Sequence, residues 1–139
     1  MTLAARDIFE RSGKRWTPMR GQLFAALLNA AKPVSAYDLA EQLSVMCHPR
    51  VAANSVYRML DLFMSASLAT KVASVNAYII SPHPGSTREC FLLVCDICGR
   101  TVHVDEQNIA ESIRQLAQRS EFYSDHAIIE VRGSCKRCL

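Results

Sequence analysis

Apolar residues recur at helical spacing in four segments of the first half of the chain, and prolines or capping residues separate the segments. The predicted helices cover residues 3–13 and then start at Thr17-Pro18, Ser35 and Asn54. Thr17, Ser35 and Asn54 are predicted N-caps, because their side-chain oxygens accept hydrogen bonds from backbone N–H groups at a helix start. The residues predicted to face inward are Leu23, Phe24, Leu27, Leu28, Leu39, Leu43, Met46, Val56, Met59, Leu60 and Phe63.

The apolar period changes after Leu68. Residues 69–72 and 76–80 are short strand candidates on either side of Ala73-Ser-Val. Three or four helices followed by a small hairpin are typical of a winged helix. Ser81-Pro-His-Pro-Gly85 is the best linker candidate, because two prolines and a glycine continue neither a helix nor a strand. The sequence therefore predicts a winged-helix domain over 1–80 and a hinge over 81–85.

The second half alternates between strands and one helix. Residues 91–94, 101–104 and 127–131 are strand candidates, and the helix between the last two is predicted to be capped by Asp105. Ile109, Ile113 and Leu116 are predicted to form its buried stripe. Residues 86–139 are therefore expected to form a small α/β domain, and the whole chain has an α/β (α+β) fold class.

Four of the six cysteines form two CxxC knuckles, Cys95/Cys98 and Cys135/Cys138, with 36 residues between them. Two such knuckles supply the four ligands of a tetrahedral structural zinc. Buried unligated cysteines are the alternative, and a redox-active CxxC would need a thioredoxin-like context that the first knuckle lacks. A four-thiolate site leaves no position for water and no HExxH is present, so a zinc hydrolase is poorly supported and we expect no enzyme.

Composition and charge narrow the class of protein. The chain has 139 residues, half of them hydrophobic, which is enough to bury a core. No apolar run reaches a membrane-spanning length and the N-terminus has no apolar signal region, so we expect a cytoplasmic protein without membrane association. Residues 1–73 carry nine Lys and Arg against five Asp and Glu, within a net charge of +3. This half is the expected polyanion-facing part, although two ordinary surfaces would show a similar fluctuation.

Six segments follow one another in order along nearly the whole chain. They are Trp16-Thr-Pro-Met-Arg20, Ser35-Ala-Tyr-Asp-Leu39, Val56-Tyr-Arg-Met-Leu-Asp61, Lys71-Val72 through Asn76-Ala-Tyr78, Cys95-Asp-Ile-Cys-Gly99, and His126 through Gly133-Ser-Cys-Lys-Arg-Cys138. In the order and spacing of these segments the chain resembles the ferric uptake regulator superfamily, and most closely its zinc uptake regulator branch. The resemblance implies a homodimeric repressor with an N-terminal winged helix, a C-terminal dimerisation domain and a structural zinc in the four cysteines.

The start of the fourth helix is the predicted DNA-contacting segment. Asn54 and Ser55 open it, and the resemblance places Tyr57 and Arg58 on the family's base-contacting pair. Arg recognises guanine through two hydrogen bonds, and Tyr contacts thymine methyls and phosphate. The alternative is a solvated helix face. The predicted phosphate contacts, each also explicable as a solvated charge, are Lys14, Arg15, Arg20, Arg50 and Lys71.

The regulatory metal site is where the sequence departs from the family. The resemblance implies a second metal at the hinge, yet Thr70 and Ser81 stand at two of the family's ligand positions, and Arg88 or Glu89 replaces a His. His103 replaces a Glu. The remaining ligand-type residues nearby are His83, Cys90, His103 and Glu89, a set that favours zinc over manganese. The alternative is that these are ordinary residues and the site is degraded.

Four further positions carry ligand-type residues. His126 and Glu106 match an additional metal site of some family members, and a hydrogen-bonded histidine explains His126 equally well. Cys47 and His48 are adjacent, and adjacent residues rarely bind one metal, so they are interpreted as structural.

These features together predict a cytoplasmic, zinc-responsive repressor that binds a palindromic operator in double-stranded DNA as a homodimer. It is expected to hold one structural Zn²⁺ per chain and a second, regulatory Zn²⁺ at the hinge, and to act on no small-molecule substrate. The alternatives are a thiol-based redox or peroxide sensor, in which Cys90 or Cys47 reacts, and a family member that responds to another divalent metal.

Overall fold

The computed structural model describes residues 2–46, 50–86 and 88–139. By its internal contacts the chain divides into two compact units, Met1–Ser86 and Thr87–Leu139. Cys47 and His48 lie outside the described residues, so their predicted structural role and a reactive Cys47 stay predictions. Within the described ranges, no helix has the length and apolar character needed to cross a membrane.

Four helices and a two-stranded hairpin build the first unit. The helices are α1 (Thr2–Arg11), α2 (Pro18–Asn29), α3 (Ala36–Met46) and α4 (Ala53–Ser65). The hairpin consists of β1 (Ala69–Val72) and β2 (Ala77–Ile80), which pair antiparallel with Ala69 opposite Ile80. A 3-10 turn over Ala73–Val75 joins the strands. The predicted helices and hairpin are therefore present, in the predicted order.

Two of the three caps predicted in the first unit are confirmed. The side chain of Thr17 accepts a hydrogen bond from the Arg20 N–H at 3.3 Å, and Ser35 Oγ accepts from the Asp38 N–H at 3.1 Å. The prediction for Asn54 is wrong, because α4 begins at Ala53 and its N-cap is Ala52. Asn54 lies inside the first turn, where its own N–H is one of the groups that need a partner.

The core of the first unit is organised around four interlocking aromatic rings. Phe9, Trp16, Phe24 and Phe63 have ring centroids 5.4 to 6.1 Å apart, mostly edge to face. The predicted stripe of α4 is buried, but Met46 is 54% exposed, contrary to prediction. The buried stripe of α3 is complete without Met46, and it consists of Ala36, Leu39, Ala40 and Leu43.

The proline-flanked segment after β2 is tied to the first unit. The Ser81 N–H donates to the Leu68 carbonyl at 2.9 Å, and the Gly85 N–H donates to the Ser67 carbonyl at 2.9 Å. Gly85 has φ of +75°, and a Cβ there would lie 3.2 Å from a side-chain carbon of α1. Residues 81–85 are thus held by backbone hydrogen bonds, and their role as a hinge stays a prediction.

The second unit is a three-stranded sheet with one helix. Its elements are β3 (Cys90–Cys95), β4 (Thr101–Val104), α5 (Gln107–Arg119) and β5 (Ile128–Gly133). The strand order is β4-β3-β5, with β3 antiparallel to β4 and parallel to β5. The predicted α/β (α+β) fold class is confirmed.

Two predictions for α5 are wrong. Its N-cap is Glu106, whose carboxylate accepts from the Asn108 N–H at 3.2 Å, and Asp105 precedes it. The predicted buried stripe is largely accessible, because Ile109 is 46% and Leu116 53% exposed. Ala110 is the buried residue of α5, so the rest of the second unit covers little of the apolar side of this helix.

Candidate functional site

The four knuckle cysteines meet at one end of the second unit. Their sulfur atoms all lie within 4.8 Å of one another. The Sγ atoms of Cys98 and Cys135 are 3.8 Å apart, and those of Cys135 and Cys138 are 3.6 Å apart. Zn–S bonds of about 2.3 Å in a tetrahedron place the sulfurs about 3.8 Å apart. The cluster therefore fits a structural zinc both in its donor chemistry and in its dimensions.

Strand pairing is what brings the two knuckles together. β3 and β5 are parallel, and Cys95 at the end of β3 stands opposite Gly133 at the end of β5. Each strand therefore delivers its knuckle at the same edge of the sheet. Each knuckle is then closed by a short turn. The Gly99 N–H donates to the Cys95 carbonyl in the first turn, and the Cys138 N–H donates to the Cys135 carbonyl in the second.

Backbone donors stabilise negative charge on part of the cluster. Hydrogen bonds from the N–H groups of Cys98, Cys135 and Ile97 lower the pKa of Cys95 to about 6. The pKa of Cys135 is also lowered, chiefly by its hydrogen bond with the Cys138 thiol. That same bond raises the pKa of Cys138 to about 12. Zinc binding would therefore displace protons that the sulfurs share, which makes zinc affinity pH-dependent.

The residues predicted to bind a regulatory metal are divided between the two compact units. His83 belongs to the first compact unit, and Glu89, Cys90 and His103 belong to the second. Within residues 2–46, 50–86 and 88–139, the four knuckle cysteines are the one group of three or more ligand-type residues at metal-binding distance. The Glu89 carboxylate is paired with Arg114 at 3.1 Å. The regulatory site stays a prediction.

Cys90 lies in an environment unsuited to a reactive thiol. It is 4% exposed, and burial raises the pKa of its thiol. A raised pKa leaves less thiolate, which is the nucleophilic form.

The start of α4 presents the predicted DNA-contacting residues. Asn54, Ser55 and Arg58 are exposed, and Tyr57 is half-buried. The N-cap residue, Ala52, has no side-chain oxygen, so the first N–H groups of the helix are left for solvent or for an anion. The geometry agrees with a recognition helix, which contacts DNA through its N-terminal part.

Tyr37 is a residue of this surface that the sequence did not single out. It lies in the first turn of α3, it is 66% exposed, and its ring packs edge to face against Tyr57 at 6.2 Å. An aromatic residue two positions after the Ser35 cap, at a position outside the buried stripe of α3, is the signal that could have found it.

The predicted phosphate contacts fall into two groups. Arg15 and Arg50 are exposed. Arg20 is half-buried, since its guanidinium donates to the Arg15 carbonyl and lies 5.6 Å from the centre of the Phe9 ring. The ammonium of Lys71 lies 5.9 Å from the centre of the Tyr78 ring. Arg20 therefore has a packing role in addition to any phosphate contact.

Glu106 and His126, the candidate ligands of an additional metal site, have other surroundings in the structure. Glu106 caps α5, and His126 is exposed just before β5.

Comparisons with known proteins agree with this geometry. The model of the ferric uptake regulator family matches residues 11–132. Holo XcZur is 28% identical in a structural alignment that covers 99% of this chain and 95% of that chain, with a TM-score of 0.84. A zinc uptake regulator complexed with zinc and DNA is 27% identical over 99% of this chain and 91% of that chain, with a TM-score of 0.87.

A curated relative is the peroxide-responsive repressor PerR of Staphylococcus epidermidis. It is 24% identical over 129 residues, which cover 92% of this chain and 83% of the relative. The predicted resemblance to the superfamily and to its zinc uptake regulator branch is confirmed by the family match and by the two zinc regulator structures. On this match over most of its length, the chain belongs to the ferric uptake regulator family.

Proposed function

We propose that the protein is a zinc-responsive repressor of transcription that binds a palindromic operator as a homodimer. The observation that carries the proposal is the start of α4, where Asn54, Ser55 and Arg58 are exposed at a helix end whose N-cap offers no side chain. The similarity to a zinc uptake regulator complexed with zinc and DNA supports it. Its family is one of metal-dependent transcription regulators, so no catalytic reaction is assigned.

Base recognition would come from α4 and affinity from surrounding cations. The Arg58 guanidinium suits two hydrogen bonds to one guanine in the major groove, and Tyr57 lies one residue before it. Tyr37 would hold the Tyr57 ring in place by its edge-to-face contact. Arg15, Arg50 and Lys71 would neutralise phosphates without reading sequence.

Two zinc ions would have different roles. The four knuckle cysteines would hold a structural zinc, which cross-links β3 to β5 and supplies folding energy to a small unit. His83, Cys90, His103 and Glu89 would bind the regulatory zinc. Because His83 belongs to one compact unit and Cys90 to the other, a metal that used both would favour particular arrangements of the units.

The homodimer is supported by apolar residues that one chain leaves exposed. Leu93 on β3 stands opposite Val102 on β4 and Val131 on β5, so these three residues form a row across one face of the sheet. They are 45%, 38% and 57% exposed, respectively. An apolar row of this kind is typical of an interface. In light scattering, a Leu93→Glu variant should have the molar mass of a monomer, whereas the parent protein should have that of a dimer.

The first experiment counts zinc per chain and measures DNA binding on the same samples. Protein is dialysed against a weak chelator and then against buffered zinc, and bound zinc is measured by elemental analysis. The proposal predicts one zinc rising to two. It also predicts that duplexes selected from a random pool bind tightly only in the two-zinc form. One zinc under both conditions would overturn the zinc-responsive part.

Base recognition is tested by substituting two arginines of the first unit, Arg58 as the test position and Arg11 as the control. Arg58→Ala should cost about 1 to 3 kcal/mol of discrimination between selected and scrambled duplexes. The control is Arg11→Ala, since Arg11 is an exposed arginine whose guanidinium is paired with Asp7 in α1. Equal losses in both variants would contradict a specific role for Arg58.

The similarity to PerR makes hydrogen peroxide the alternative to zinc as the regulatory signal. If hydrogen peroxide releases the DNA and zinc has no effect, the protein is a peroxide-responsive regulator instead. Burial and the raised pKa of Cys90 count against a reaction at that thiol.

A further inference from the structure

A single aspartate links the first zinc knuckle to the strand that leads into the second. Asp96 lies between Cys95 and Cys98, and its Oδ1 accepts from Arg132 Nε at 2.8 Å. The Asp96 backbone N–H also donates to the Gly133 carbonyl at 2.8 Å. Both the side chain and the main chain of Asp96 are therefore fastened to the end of β5.

This fastening lies next to the sulfur cluster. Arg132 and Gly133 come immediately before the turn into Cys135, and the Cys135 N–H donates to Cys95 Sγ at 3.3 Å. The two knuckles belong to segments separated by 36 residues, so bringing them together costs conformational entropy. A contact that holds them in register lowers that cost, and it also opposes the separation of the two knuckles through which bound zinc is released.

We propose that the Asp96–Arg132 ion pair is a positioning element of the four-cysteine zinc site, which preorganises the two knuckles and slows zinc release. The proposal rests on the four-cysteine site and is independent of the regulatory metal and of the DNA that the protein binds.

The direction in which removal of the Asp96 charge changes zinc binding distinguishes a positioning role from a through-space electrostatic effect. A zinc ion with four thiolates carries two negative charges, and the Asp96 carboxylate lies in the first knuckle of that centre. Through space alone, Asp96 would repel the complex, and removing its charge would strengthen zinc binding. A positioning role predicts the opposite, because loss of Asp96 also frees Arg132.

The size of the expected change in zinc release rate follows from the exposure of the two side chains. The side chains of Arg132 and Asp96 are 59% and 43% exposed, so solvent screens their attraction. Contacts that orient metal ligands have larger effects when they are buried. For this exposed pair we expect zinc release to become about two- to fivefold faster when either partner is removed.

The test uses the full chain carrying one zinc, mixed with excess 4-(2-pyridylazo)resorcinol, and follows zinc transfer by absorbance. Asp96→Asn and Arg132→Gln should each release zinc about two- to fivefold faster than the parent chain. The double variant Asp96→Arg with Arg132→Asp reverses the pair and should recover most of the loss.

Two control variants separate the alternatives. Arg114→Gln removes an ion pair with Glu89 in the same unit without touching a knuckle. Arg100→Gln removes the positive charge of an exposed residue two positions after Cys98. Both controls should release zinc at nearly the parent rate.

Three results would overturn the proposal. Slower release from Asp96→Asn would show that through-space repulsion dominates. Equal acceleration in Arg132→Gln and either control would show a general effect of charge or of stability. Failure of the reversed pair to recover the parent rate, with the unfolding temperature of the zinc-loaded form unchanged, would show that the contact itself does not matter.

Discussion

Phe63 is the side chain whose loss should most weaken the predicted DNA-binding unit. It lies on α4, is fully buried, and its ring centroid is 5.4 Å from that of Phe9 and 6.1 Å from those of Phe24 and Trp16. Two of these contacts are edge to face and the Trp16 contact is stacked. Phe63 therefore joins the proposed recognition helix to α1, to α2 and to the segment between them.

The expected cost of Phe63→Ala is about 3 to 5 kcal/mol, because lost burial and the remaining cavity add together. Phe63→Leu keeps much of the volume and gives up the three ring contacts, which are worth about 0.5 to 1.5 kcal/mol each and are not strictly additive. We expect it to lose about 1 to 3 kcal/mol. The difference between the two variants measures the cavity.

The assay is urea unfolding followed by tryptophan fluorescence. The chain has one tryptophan, Trp16, and its ring is 6.1 Å from Phe63, so the emission reports on the first unit. Val45→Ala is the control in the same unit, because Val45 is 84% exposed and its loss should change stability by less than about 0.5 kcal/mol. A loss below about 1 kcal/mol for Phe63→Ala would refute the view that this cluster organises the unit.

Three further outcomes are expected. Ser35→Ala should cost about 1 kcal/mol in thermal unfolding, whereas Asn54→Ala should cost little and instead weaken DNA binding, because Ser35 caps α3 and Asn54 caps nothing. In zinc-free protein at neutral pH, mass spectrometry after iodoacetamide should find Cys98 alkylated well before Cys90, since Cys98 is exposed while burial raises the pKa of Cys90. The reverse order would favour the thiol sensor. Gly85→Ala should lower stability by about 1 to 2 kcal/mol, because φ is +75° and the new methyl would lie 3.2 Å from a side chain of α1.

Features written locally in the sequence were predictable. Thr17-Pro18 fixed the start of α2, since one residue supplies the capping oxygen and the next needs no N–H partner. The strand over residues 101–104 and the two CxxC knuckles were also found, because a short spacing or a change of period carries the information. The family resemblance rested on the order of such segments.

Features set by tertiary contacts were not predictable. The exposed stripe of α5 has the same period as a buried one, and only tertiary contacts decide its burial. Arg20 looked like one more surface cation, but its guanidinium packs over Phe9. The ion pair between Glu89 and Arg114 joins residues 25 positions apart, and no local sequence pattern predicts it.

The features that lower the zinc affinity of the proposed regulatory site are features that a zinc sensor needs. A closed four-thiolate site binds zinc with about 10 to 16 kcal/mol in small zinc domains, so it would stay loaded at any physiological zinc level and could report nothing. A regulatory site has to be weaker. Binding there would require a proton to leave Cys90, whose pKa burial raises, and would require Glu89 to give up its ion pair with Arg114. Each cost lowers affinity, and the first makes affinity rise with pH. If the proposal holds, Arg114→Gln should therefore strengthen the second zinc site while it leaves the four-cysteine site unchanged.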